Sequence, residues 1–140
     1  MKYRQLTKEQ FEELHNEFAT FLASQSIDVN EWNIIKKEKP NVAEEEMNIF
    51  SDMVWDDVLS KTKYIEHFSQ KTINLFKTEE TIIKRIVVKI SNDKNLQQQE
   101  GLEWLLKNPL DNSIDIFKGS KKYSLKRNNE IFELIEKGGS

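Results

Sequence analysis

Acid–base and metal chemistry needs particular side chains at particular spacings, and few are present. Two histidines occur, His15 and His67, each near a carboxylate, Glu12 and Glu66 respectively. An imidazole beside a carboxylate is the pattern of a general base or an oriented metal ligand. These two fall in different segments and show no His-x-x-x-His spacing, so neither is assigned a role. Asp52 and Asp56 stand one helical turn apart on one face, with Glu45 two turns before Asp52. Paired carboxylates suit Mg²⁺ or Ca²⁺, yet such ions want oxygen ligands from several directions. A solvated acidic face is the better reading, and no metal site is expected. Cysteine is absent, which removes thiolate sites, a thiol nucleophile and disulfides. There is no glycine-rich phosphate loop and no Gly-x-Ser-x-Gly elbow. A non-catalytic protein without a cofactor is expected.

Binding chemistry is better represented. Lys118, Lys121, Lys122, Lys126 and Arg127 cluster around Tyr123. Cations interleaved with an aromatic ring can track a phosphate backbone and stack a base. Trp104 is read as lying opposite Leu102, Leu105 and Leu106, the expected inner face of its helix. Ile49 and Met53 likewise lie off the core stripe of theirs, beside Asp52 and Asp56. Tryptophan off a core stripe is a candidate interface anchor. Together Trp104, Ile49, Met53, Asp52 and Asp56 make the preferred partner-binding set.

The elements that must position these residues are organised around Thr81 to Ile90, the one run dense in β-branched side chains. It predicts a central strand. Period-two reading puts Ile82, Ile86, Val88 and Ile90 on a dry face and Ile83, Arg85, Val87 and Lys89 on a wetter one. Before it, Thr7 with Gln10 forms a capping box, stapled by Leu6 and Phe11, for a helix running to about Ala23. Asp28 caps a second helix that Pro40 ends, and Asn41 with Glu44 caps a third to about Ser60. The third carries the core stripe Ala43, Met47, Phe50, Val54 and Val58. Tyr64–Phe68 and Ile73–Lys77 read as strands, with Thr78-Glu79-Glu80 closing a hairpin onto the central one. A helix over 96–107 follows, then a strand over 113–118 that Gly119-Ser120 turns. Were that strand parallel to the central one, the connection would be a right-handed crossover. A last helix runs from about Leu125 to Lys137, stopped by Gly138-Gly139.

At 140 residues the chain suits one domain, 1–140, with a helical half over 7–60 and a sheet with two helices over 61–140. The net charge of −3 is polarised. Residues 1–60 hold 6 Lys/Arg against 13 Asp/Glu, and residues 61–140 hold 15 against 11, balances of −7 and +4. No apolar run approaches the ~20 residues that span a bilayer, and the N-terminus lacks a signal-peptide core. A cytoplasmic location without membrane contact is expected.

Four stretches carry a family likeness: Met1-Lys2-Tyr3-Arg4-x-Leu6-Thr7-Lys8-Glu9-Gln10, Phe50-Ser51-Asp52-x-Val54-Trp55, Asn74-Leu75-Phe76-Lys77 and Arg85-Ile86-Val87-Val88. Over nearly its full length the chain resembles a group of small uncharacterised cytoplasmic Bacteroidota proteins, a domain of unknown function. The resemblance implies a further amphipathic segment past the glycines, so a short native tail is expected after Ser140. It implies no activity, cofactor or partner.

The expected fold is α+β: an N-terminal three-helix unit packed on a small, mostly antiparallel sheet with two further helices. The expected function is a non-catalytic cytoplasmic adaptor that binds another protein. An RNA- or ribosome-associated factor using residues 118–127 is the alternative, and a small enzyme without a recognisable motif the third.

Overall fold

The computed structural model describes residues 1–138. In chain order it contains α1 (Lys8–Glu13), α2 (His15–Ser24), α3 (Val29–Glu38), α4 (Pro40–Lys61), β1 (Tyr64–Phe68), β2 (Thr72–Thr78), β3 (Ile82–Ile90), α5 (Gln99–Lys107), β4 (Ile114–Lys122) and α6 (Arg127–Glu136). Helices with a wholly antiparallel sheet make it an α+β protein, as the patterns predict. The chain divides into two compact units, Met1–Ser60 and Lys61–Ser140. Gly139, half of the predicted stop, lies outside the described residues. Gly138 adopts φ 67°, the left-handed geometry that ends helices.

The first unit is built on aromatic packing. Phe18 is its hub, with ring centroids 5.0 Å from Phe50, 5.3 Å from Trp32 and 5.4 Å from Phe11. The Thr7 capping box forms as read, Gln10 N–H donating to Thr7 Oγ1 at 3.2 Å and Thr7 N–H to Gln10 Oε1 at 2.9 Å. The predicted single helix to Ala23 is two, broken at Leu14. His15 Nδ1 sits 2.8 Å from the Glu12 carbonyl, and a side chain competing for a helical carbonyl is a recognised cause of such a break. Asp28 caps α3 by accepting from Glu31 N–H at 2.8 Å. α4 begins at Pro40 rather than behind an Asn41 cap, since proline's missing N–H is harmless in a helix's first turn. The stripe of α4 also ends differently: Val58 is exposed and Leu59 fully buried.

In the second unit the strands lie in chain order, β1-β2-β3-β4. β4 is a neighbour of β3 but antiparallel to it, so no right-handed crossover forms. It also runs straight through Gly119-Ser120, Gly119 pairing with Arg85, instead of turning there. The single dry face expected for β3 is absent. Ile90 is buried on one face and Ile83 on the other, while Ile86, midway, is 37% exposed. The reason is that the two helices flank opposite faces at opposite ends. Leu102, Trp104 and Leu105 of α5 pack on the cluster of Ile73, Ile90 and Leu96. On the other face Phe76 and Ile83 border a cleft of about 380 Å³ beside Leu134 and Glu130 of α6.

Candidate functional site

Cross-strand partners share a face, so the register defines what α5 leaves open. On its side, Ile73, Val88 and Ile116 form one row across β2, β3 and β4, and Leu75, Ile86 and Lys118 the next. β1 extends the rows with Phe68 and Glu66. α5 has 9 residues and β3 also has 9, ~13 Å of helix against ~30 Å of strand. One short helix cannot roof the whole face. On this face Leu75 is 37% exposed, Ile116 54% and Phe68 39%. Lys77, Lys84, Lys118 and Lys122 lie on this same face, so an apolar strip is edged by cations. Glu79 partly offsets two of them, 3.6 Å from Lys77 and 3.4 Å from Lys84.

The residues singled out from sequence fall in both units and are described unit by unit. Trp104 does not lie opposite the packed face of its helix: its indole is half-buried against Ile73, Ile90 and Leu96, whereas Leu106, expected inside, is 79% exposed. Gly101 explains the rotation. It is buried against the Asn95 carbonyl, where a Cβ would stand 1.9 Å from the oxygen. The packed face of α5 is therefore centred on Gly101, and its i+3 and i+4 neighbours are Trp104 and Leu105. A glycine inside a helical pattern was the available signal.

Ile49 and Met53 stand exposed on α4. Their neighbours Asp52 and Asp56 are engaged within the first unit. Asp52 accepts from the backbone N–H groups of Lys2 at 2.8 Å and Tyr3 at 3.1 Å. Asp56 accepts from Lys2 Nζ at 3.1 Å and from the Tyr3 hydroxyl. With Arg4 4.8 Å above the Trp55 ring and Leu6 N–H on Ser51 Oγ at 3.0 Å, residues 2–6 form a strap along α4. Burial, then the Asp56 hydrogen bond and charge, push the Tyr3 hydroxyl well above the usual tyrosine range.

The basic cluster is dispersed. Lys118 and Lys122 lie on the α5 side of β4 and Lys121 on the other, 3.5 Å from Glu130. Arg127 donates to the carbonyls of Thr62 at 2.7 Å and Glu79 at 3.1 Å, and the Tyr123 hydroxyl donates to Glu79 at 2.7 Å. These two side chains fasten the turn before α6 to the β2–β3 turn. Burial raises the Tyr123 hydroxyl above its ordinary value. His15 is exposed in the first unit and His67 is half-buried against Phe76 in the second. Among the described residues no group of three His, Cys, Asp or Glu side chains could hold a metal ion. No helix among them is long and apolar enough to cross a membrane.

What fold and surface define is an α+β protein with a lysine-edged apolar sheet face. The model of the family described as Family of unknown function (DUF6495) matches residues 1–140, and the chain belongs to that family. No curated protein and no solved structure matches it.

Proposed function

We propose that this is a cytoplasmic, non-catalytic protein-binding module of a Bacteroidota cell, and that its site is the open part of the sheet face. The observation that carries this reading is the strip of Leu75, Ile86 and Ile116, exposed beside Lys77, Lys84 and Lys118. Apolar residues in a contiguous exposed strip mark interaction sites more often than scattered ones do. The cations select the occupant: an amphipathic segment of another protein with acidic residues beside its apolar ones, matched by charge. Ile49 and Met53 on α4 offer a second, smaller apolar surface.

Affinity purification with nuclease treatment, followed by titration of the recovered partner's acidic segment as a peptide, tests it. Ile86→Glu is expected to abolish capture with an unchanged circular dichroism spectrum, and Met53→Glu to leave capture intact. The reverse pattern would move the site to α4. Loss of the partner on nuclease treatment would instead favour the RNA- or ribosome-associated reading through the lysines of residues 118–126.

A further inference from the structure

We propose that the protein forms a two-fold dimer in which β4 pairs antiparallel with β4 of a second copy, centred on Phe117. The inference rests on the sheet's edge; it shares Ile116 with the open face but needs no occupant there.

β4 is an edge strand, bonded to β3 along one side. A strand in that position presents a row of backbone N–H and C=O groups ready to pair with another chain. Proteins ordinarily blunt such edges by keeping them short, bulged, interrupted by proline or lined with charge; of these β4 has only the charge, at Lys118, Lys121 and Lys122. β4 has 9 residues, and its register with β3 runs unbroken from Ile82↔Lys122 to Ile90↔Ile114. It contains no proline. The opposite edge, β1, has only 5 residues. Ile116 and Phe117 project from opposite faces of β4, and both are 54% exposed. A neighbouring strand would cover both at once, which a ligand on either face could not do.

The second copy is chosen by charge. β4 is acidic at its start, at Asp115 with Asp111 just before it, and basic towards its end, at Lys118, Lys121 and Lys122. A strand polarised in this way is complementary to itself when antiparallel and repels itself when parallel. Two-fold symmetry normal to the sheet requires one residue to face its own copy. Centring on Lys118 would set two ammonium groups face to face. Centring on Ile116 would pair only Ile114 to Lys118. Centring on Phe117 pairs Ile114 to Ser120, sets the two phenyl rings side by side and places Asp115 opposite Gly119. A Cβ on Gly119 would meet nothing within 4 Å, so the carboxylate has room to reach Lys121 diagonally.

The absence of cysteine makes a clean test. Phe117→Cys places thiols across the two-fold axis, where directly opposed strand residues have Cα atoms ~4.5–5.5 Å apart, within disulfide range. This variant is expected to form a disulfide-linked dimer under mild oxidation. Lys122→Cys, some ~34 Å from its copy in this register, is expected not to. Light scattering should find the wild-type protein at twice its 16.6 kDa mass. Phe117→Lys, a change at an exposed position, should raise the dimer dissociation constant about tenfold or more by opposing two like charges. A wild-type protein that stays monomeric at high micromolar concentration overturns the proposal. So does a dimer indifferent to Phe117→Lys, or one cross-linked equally through position 122.

Discussion

Gly101 occupies a position where alanine would ordinarily favour the helix by about 1 kcal/mol. The Asn95 carbonyl reverses that sign, because an added Cβ has nowhere to go. Gly101→Ala is expected to destabilise the protein by about 2 kcal/mol, read as a lower urea midpoint. Ser26 is the opposite case. Its φ of 62° puts a side chain in the left-handed region between α2 and α3. Ser26→Gly should raise the thermal midpoint, through a gain of about 0.5–1 kcal/mol. Tyr3 gives the pH dependence. Its hydroxyl titrates higher folded than unfolded, so its contribution is complete below the unfolded value of about 10 and is lost as pH rises through the folded value. Wild type should therefore lose its stability advantage over Tyr3→Phe above about pH 10, and a difference that is constant to higher pH would exclude the strap as its source.

At the scale of elements, the opposed placement of α5 and α6 decides which strand residues matter. Leu96→Ala and Ile131→Ala, both at fully buried positions, should each cost about 2–5 kcal/mol in chemical denaturation. Ile86→Ala should cost well under that, about 1 kcal/mol, because its site is already partly in water. Equal costs at positions 86 and 96 would mean that the face is covered. Local signals in the sequence identified the Thr7 and Asp28 caps and the β2–β3 hairpin, because each depends on a few adjacent residues. The strip of Leu75, Ile86 and Ile116 was not legible, since its members meet only through strand register. Trp104 was misplaced because helical spacing alone ranks leucines above a glycine, whereas close backbone approach made Gly101 the centre of the packed face. The straight course of β4 was hidden by Gly119-Ser120, a pair that reads as a turn but pairs here with β3.

At the scale of the whole molecule, charge divides along the chain, −7 over residues 1–60 and +4 over residues 61–140. On the proposed reading, an acidic partner would be drawn towards the second unit and repelled by the first, which would orient encounter before contact. Its association rate should fall several-fold between about 0.05 and 0.3 M salt, with little change in dissociation, in stopped-flow mixing. A salt-independent association rate would remove the lysines from the recognition step. The strap has a consequence in time. Lys2 is bonded to Asp52, 50 positions later. At translation speeds of about 5–20 residues per second, the N-terminal segment is made roughly 2.5–10 s before the residue that holds it exists. Residues 2–6 are thus among the last parts of their unit to be secured, and until α4 is made their backbone donors are open to other contacts.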